Sequence, residues 1–364
     1  MDATPVPPEV AALLTRLTGA APVETHGAAV FVGPEAAYKV KKPVRFGYLD
    51  FSTLDARERM LRRELALNAP QAPGLYRAVL PVTRGPDRAL RLGGEGPAEE
   101  WVLEMAPLGR DDFLDAVAAR GDLSPAMLDA LTDTVVAMHA AAPVMRGWDA
   151  PRAVARVMRE TRDAALHAGL PALRIHEWAG GIMAALDRLG PLLAQRAAEG
   201  RVRRCHGDLH LANLCLWQGR PTPFDALEFS EALATVDTGY DLAFLLMDLE
   251  VRLGRATANR VLNRYVARTG DAALVGALPL WLSLRAMIRA HVAATRGADA
   301  LPLLAWAEAV LSPAPARLVA IGGLQGTGKS RLARLLAPAI GPAPGALVLR
   351  SDEGRKRLFG RAPE

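Results

Sequence analysis

Between His206 and Asp225 the chain reads His206-Gly207-Asp208-Leu209-His210-Leu211-Ala212-Asn213 and then Phe224-Asp225. These are the residue types that phosphoryl transfer needs. One carboxylate must stand beside the acceptor hydroxyl, and two oxygen ligands must hold magnesium against the phosphates. The spacing H-x-D-x-x-x-x-N forms a loop that can aim Asp208 at the acceptor and Asn213 at the metal. Asp225, on the next strand pair, would bridge the metal to the phosphates. His-Gly-Asp alone is a common turn, and Asp-x4-Asn arises by chance in many loops. The ordered set, flanked by apolar runs at Leu214–Trp217 and Pro223-Phe224, carries the reading.

A second motif, Gly323-Leu324-Gln325-Gly326-Thr327-Gly328-Lys329-Ser330, matches G-x-x-x-x-G-K-[ST] at every fixed position. An apolar run, Leu318 to Ile321, reads as the strand before it, and Ser330 to Ala337 reads as the helix after it. That is the context the motif requires. Gly323, Gly326 and Gly328 let backbone amides wrap phosphates. Lys329 would reach the outer phosphates and Ser330 would bind magnesium, while the helix N-terminus supplies positive potential. Leu347 to Leu349 reads as a second strand leading to Asp352-x-x-Arg355; Asp352 could equally cap a helix.

Lysine is scarce: the chain has 39 Arg but only five Lys, at positions 39, 41, 42, 329 and 356. Strand alternation over Ala37-Tyr38-Lys39-Val40-Lys41 puts Lys39 and Lys41 on one face. A phosphate-aligning lysine needs a carboxylate on a neighbouring helix, and Glu64 or Glu58 could supply it. A solvated basic strand end is the alternative for this stretch. Glu104-Met105-Ala106 falls where a backbone hinge would meet adenine, although Met105 could equally be core. Thr25-His26-Gly27-Ala28 falls where a phosphate-covering loop would lie, but it lacks G-x-G-x-x-G. His139, near a helix end, reads as a packed structural histidine.

The elements that must position these groups follow from patterning. Residues 1–105 read as a small mixed lobe. Strands are expected at Ala28–Val32, Ala36–Lys41, Tyr76–Val82, Ala89–Leu92 and Trp101–Met105, with a helix at Leu54–Asn68 capped by Ser52 or Thr53. Residues 106–312 read as mostly helical, with apolar spacings of three and four. Helices are expected at 111–119, 125–142, 151–168, 173–199, 235–253, 256–268, 272–294 and 300–311. Ser312-Pro313-Ala314-Pro315-Ala316 reads as a stiff linker. Residues 313–364 then begin a third element.

Composition narrows the function classes. Apolar residues make up 51% of 364, so the chain is globular rather than disordered. No run of about 18 apolar residues suggests a membrane span, and no basic-then-apolar leader is seen at Met1-Asp2-Ala3-Thr4-Pro5. Two cysteines, Cys205 and Cys215, suggest neither a disulfide framework nor zinc, and a reduced cytoplasmic setting is expected. Residues 313–364 carry nine basic and three acidic side chains, whereas 106–312 carry 22 and 23. The basic excess thus belongs to the phosphate-binding element, and nucleic acid is a disfavoured partner. The oligomeric state is not legible.

His-Gly-Asp in place of His-Arg-Asp, with Asp237-Thr238-Gly239-Tyr240-Asp241-Leu242-Ala243 downstream, resembles the aminoglycoside phosphotransferase family of small-molecule kinases. The resemblance implies a two-lobe α+β protein-kinase-like fold, ATP and Mg2+ as cofactors, and a small-molecule alcohol as acceptor. It favours Lys39 as the phosphate lysine, with Lys41 as the runner-up, because an aromatic or apolar residue precedes that lysine in the family. Asp352 and Arg355 resemble the acceptor base and phosphate contact of P-loop kinases related to polynucleotide kinase and zeta toxins. The whole chain looks like bacterial two-part proteins in which the kinase-like domain is followed by the start of an α/β P-loop NTPase domain. A Walker-B carboxylate, further strands and a lid arginine do not follow Asp352, so 313–364 is expected to be a truncated element. Residues 106–312 are nearly neutral and offer no sign of the acidic pocket a polycationic aminoglycoside needs. Two other classes stay open: a nucleotide-binding regulatory module, and a P-loop kinase acting on a nucleoside or nucleic-acid end.

Overall fold

The computed structural model describes residues 5–25, 27–46, 49–312 and 315–361. His26, in the expected phosphate-covering loop, and Pro313-Ala314, in the expected linker, lie outside them. The chain divides into two units, Met1–Val117 with Ala212–Ala234, and Ala118–Leu211 with Thr235–Glu364.

Helix α1 (Pro8–Thr18) begins at a proline, whose missing N–H costs nothing at a first turn, and ends at Gly19 with φ 71°. It lies outside the elements expected above. Strands β1 (Val23–Glu24), β2 (Ala28–Val32) and β3 (Ala37–Lys41) follow, then a small hairpin of β4 (Arg45–Phe46) and β5 (Leu49–Asp50). Helix α2 (Leu54–Asn68) starts where Thr53 accepts the Ala56 N–H. Strands β6 (Tyr76–Arg84), β7 (Leu90–Leu92) and β8 (Ala98–Met105) complete a six-stranded sheet in the order β1-β2-β3-β8-β6-β7. Each neighbouring pair is antiparallel. Val10, Leu13 and Leu14 of α1 cluster with Phe31, Val40 and Val102. Leu61 of α2 clusters instead with Ala37, Leu75, Leu103 and Met105. Alternation along β3 therefore sends Val40 toward α1, and Ala37, Lys39 and Lys41 toward α2.

The chain continues through α3 (Leu114–Ala119), α4 (Pro125–Ala141), α5 (Ala150–His167), α6 (Ala172–Ala198) and β9 (Val202–Arg204). A hairpin of β10 (Leu214–Trp217) and β11 (Arg220–Pro223) then belongs to the first unit, as does the short α7 (Glu231–Ala234). Strand β12 (Thr235–Asp237) pairs with β9, and α8 (Thr238–Leu253), α9 (Arg255–Thr269), α10 (Leu274–Thr295) and α11 (Leu301–Leu311) follow. The helix expected at 235–253 thus loses its first three residues to a strand. Asp237 stops it by accepting the Gly239 N–H at 2.7 Å as N-cap, and the β-branched Thr235 and Val236 pair with Arg204 and Arg203. In the second unit, buried Arg196 of α6 makes two-pronged bonds to Asp237 and Asp271, each 2.7–2.8 Å long. They tie α6 to the starts of α8 and α10.

The last elements are α12 (Lys329–Leu336) and α13 (Ser351–Leu358). The strands expected at 318–321 and 347–349 are not formed among the described residues, so an α/β P-loop sheet is not present there. Leu318 is 93% exposed and Leu349 77%, so neither has the neighbours that make an apolar strand stable. The backbone at 346–348 is satisfied otherwise. Ala346 O accepts from Asn259 and Asn263 of α9, and Val348 N–H donates to Asn263 Oδ1 at 2.6 Å. No helix among the described residues is long and apolar enough to cross a membrane.

Candidate active site

In the first unit, strand alternation brings Lys39 to helix α2. Lys39 Nζ lies 2.6 Å from Glu64 Oε1 and 2.6 Å from Asp225 Oδ1. Glu64 is fully buried, whereas the alternative acid, Glu58, pairs with Arg62 one turn away. Lys41 does not stand idle beside them. Its Nζ lies 2.7 Å from Glu64 Oε2 and 2.5 Å from Glu228 Oε1. Lys42 donates to Thr25 O at 2.7 Å and pairs with Glu24, closing the base of the loop between β1 and β2. Burial opposes the charge on Lys39, but Asp225, Glu64 and Glu228 outweigh it and hold its pKa well above the ordinary lysine value.

The β10–β11 hairpin brings Asn213 across from Phe224, the residue before Asp225. Leu214 pairs with Pro223, so Asn213 and Phe224 come next on the two strands, and Phe224 N–H donates to Asn213 O at 3.1 Å. Asp225 is one residue further on. Its backbone has φ 59°, a left-handed conformation costly for a non-glycine residue, and two bonds fix it. Asp225 N–H donates to Tyr76 Oη and Ala226 N–H donates to Asn68 Oδ1, both at 2.9 Å. Asn68 in turn donates to Glu64 O, so α2 holds both the lysine partner and the aspartate loop. Side-chain oxygens of Asn213 and Asp225 are hard donors suited to magnesium, and Asp225 is 40% exposed. Met105 closes β8 between β3 and β6, with its side chain in the core beside Leu61, Tyr76 and Phe224.

In the second unit, helix α8 carries the loop with Asp208. Asp241 accepts the His206 N–H at 3.2 Å and the Gly207 N–H at 2.9 Å. Asp248, two turns on, accepts the Leu211 N–H at 3.0 Å. Phe244, on the same face, packs edge-on against His210. His139 is the packed residue expected from sequence: its ring bridges Asp241 at 3.1 Å and the Tyr265 hydroxyl at 2.9 Å. Asp208 has His210 Nε2 3.4 Å from its carboxylate. Burial alone would raise the Asp208 pKa. The hydrogen bond and charge of His210, with His206 and Arg285, reverse this and hold it well below the usual carboxylate range. Asp208, its side chain 40% exposed, is therefore ionised at neutral pH. Sequence reasoning placed Lys41 on the Lys39 face but missed its pairing with Glu228, and it missed the bonds made by Asn68, Tyr76 and Asp248. The signal for Asp248 was an acid seven residues beyond Asp241 in an otherwise apolar run.

The glycine-rich segment has its own geometry in the second unit. Gly323, Gly326 and Gly328 have φ of 151°, 81° and 84°, which L side chains rarely adopt, and α12 begins at Lys329. Lys329 Nζ folds over the loop onto Gly323 O and Leu324 O, at 2.8 and 2.6 Å. A pocket of about 860 Å³ beside it is lined by Gly326, Lys329, Ser330 and Asp352 among others. Asp352 pairs with Arg350 at 2.5 Å, while Arg355 lines a separate depression with Lys356, Phe359 and Arg361. Asp352 and Arg355 are thus not brought to one pocket. Both cysteines are buried and unbridged. Burial, with Asp112 nearby, pushes the Cys215 thiol up to about 12.

The architecture is that of a protein-kinase-like α+β fold. A choline/ethanolamine kinase family protein from Mesorhizobium loti shares it with a TM-score of 0.51 at 16% identity, over 84% of this chain and 95% of that one. An aminoglycoside phosphotransferase aligns with a TM-score of 0.47 at 12% identity, over 84% and 96% of the two chains. In sequence, the chain is 31% identical over 354 residues to the uncharacterized protein Rv2004c of Mycobacterium tuberculosis, covering 92% of this chain and 68% of the relative. The uncharacterized protein Mb2027c of Mycobacterium bovis matches to the same extent. The chain belongs to the family of these mycobacterial proteins. No protein-family model matches it. None of these likenesses shows a P-loop ATPase domain.

Proposed function

We propose that this chain is an ATP- and magnesium-dependent phosphotransferase that moves the γ-phosphoryl group to an alcohol of a small molecule. The observation that carries the reading is Lys39 Nζ held at 2.6 Å by both Glu64 and Asp225. In that role Lys39 aligns the phosphates and Glu64 holds Lys39. Asn213 and Asp225 would hold magnesium, which would supply positive charge against the phosphates. Asp208 orients the acceptor hydroxyl and accepts its proton. Met105 borders the adenine position at the end of β8. The fold shared with a choline/ethanolamine kinase family protein supports the class but not the acceptor. The near-neutral 106–312 region gives no reason to prefer a polycation.

A second, lesser reading concerns Gly323–Ser330. The pocket beside Lys329 and Ser330 supports a phosphate-binding element there, with the loop amides as donors. Asp352 and Arg355 line separate depressions, which speaks against a complete second transfer site. The experiment is a radiolabelled-ATP transfer assay over sugars, amino alcohols such as choline and ethanolamine, aminoglycosides, nucleosides and protein. Transfer to a small alcohol that requires Mg2+ supports the reading. Transfer only to nucleosides or nucleic-acid ends, lost on Lys329→Ala, would replace it with a P-loop kinase.

A further inference from the structure

One lysine is enough to align phosphates, yet this chain directs two onto a single carboxylate. Lys41 is 3% exposed, Glu64 fully buried and Glu228 7% exposed. Burying two ammonium groups beside three acids carries a desolvation cost that a methionine or leucine at position 41 would avoid. The arrangement has a directional consequence. Lys39 uses Glu64 Oε1, and Lys41 uses Oε2, so the Glu64 carboxylate cannot close on Lys39 with both oxygens. Lys41 also reaches Glu228, three residues beyond Asp225. The 225–228 segment is thus tied at Asp225 N–H by Tyr76, at Ala226 N–H by Asn68, and at Glu228 by Lys41. Because Asp225 is held at φ 59°, such ties are what keep its carboxylate in place.

We infer that Lys41 is a positioning residue of the metal–nucleotide site. By holding Glu228 against Glu64 Oε2, it fixes the 225–228 segment and so keeps Asp225 available to magnesium. This rests on the phosphotransferase reading above. Lys41 itself touches neither phosphate nor metal in this role. The charge count agrees: Lys39 and Lys41 face Glu64, Asp225 and Glu228, which leaves one negative charge for an incoming cation.

The test measures ATP binding by calorimetry on the full chain, with excess Mg2+ and with a chelator, alongside thermal unfolding. The variants are Lys41→Met, Glu228→Gln, the double variant and Asp225→Ala. Glu228→Gln is nearly isosteric and serves if Lys41→Met does not fold. Each single variant at the pair should raise the Kd for Mg-ATP about 10-fold, which is a coupling of ordinary size. Metal-free ATP should change by less than about 3-fold, and the double variant should be no worse than the more impaired single variant. Equal weakening with and without Mg2+, additive losses, or unchanged Mg-ATP binding by folded Glu228→Gln would overturn the inference. If Asp225→Ala loses the magnesium preference while the pair variants keep it, only this inference falls. If the wild-type chain does not bind Mg-ATP, the phosphotransferase reading falls with it.

Discussion

Asp241 and Asp248 stand two turns apart on one face of α8 and grip opposite ends of the loop that carries Asp208. The grip is unequal. Asp241 is wholly buried and serves two backbone amides and His139, whereas Asp248 serves one amide and the half-exposed Arg252. Asp241→Ala leaves those donors unpaired in the core and should cost about 3–5 kcal/mol of stability. Asp248→Ala should cost about 1–3 kcal/mol. Urea unfolding midpoints check the order; equal losses would show that the two ends of the loop are held alike.

Arg196 offers a stability test remote from the chemistry. Removing it strands Asp237 and Asp271, both nearly inaccessible to solvent. Arg196→Ala should cost about 3–5 kcal/mol, and Arg196→Lys should recover only part, since an ammonium cannot make both two-pronged bonds. Full recovery by lysine would show that charge alone matters.

Lys39 and Lys41 should separate in kinetics. Lys39→Met should lower kcat by about 10²-fold or more, the scale for losing one donor to transition-state charge. Lys41→Met should lower kcat much less, because its ammonium is spent on Glu64 and Glu228. The reverse ranking in steady-state kinetics would move the phosphate role to Lys41.

The dependence on pH follows from the direction of each shift. Burial opposes ionisation of Asp241, but His139, His206 and Arg285 outweigh it and lower its pKa below the ordinary 3.8. Its stabilising contribution is therefore complete above that value and drains away as pH falls through the lower folded-state value. The gap in thermal midpoint between wild type and Asp241→Asn should be constant from about pH 6 to pH 4.5 and narrow below about pH 3.8. Lys39 has the opposite sign: its raised pKa stabilises the fold fully below 10.5, and the contribution is lost at higher pH. A gap that narrows already near neutral pH would contradict the ionised, His139-bonded Asp241.

Part of the geometry around the candidate residues was legible because they recur at fixed spacings. The hairpin register sets Asn213 across from Phe224, one residue before Asp225. Lys39 and Glu64 were legible through strand and helix periodicity. What stayed hidden depended on long-range partners. Glu228 meets Lys41 across 187 residues of chain, and Asn68 meets Ala226 across 158. Helix α1 escaped notice although its apolar residues pack on the sheet. The strands expected at 318–321 and 347–349 failed for a complementary reason: an apolar run becomes a strand only where a ladder partner exists. Here Asn259 and Asn263 take up the backbone groups of Ala346 and Val348 instead. The 235–253 helix was overrun at its start because the Asp237 cap was read as helix interior.

The central claim is that transfer runs through Asp208 and not through the glycine-rich loop. The direct measurement pairs Asp208→Ala with Lys329→Ala in one assay of Mg2+-dependent ATP consumption with an acceptor present. Asp208→Ala should lose at least about 10²-fold in transfer while still binding Mg-ATP, the loss expected for a positioned base. Lys329→Ala should leave transfer nearly unchanged, because the Lys329 ammonium rests on the carbonyls of its own loop. Turnover abolished by Lys329→Ala yet surviving Asp208→Ala would contradict the account and make the P-loop the working site.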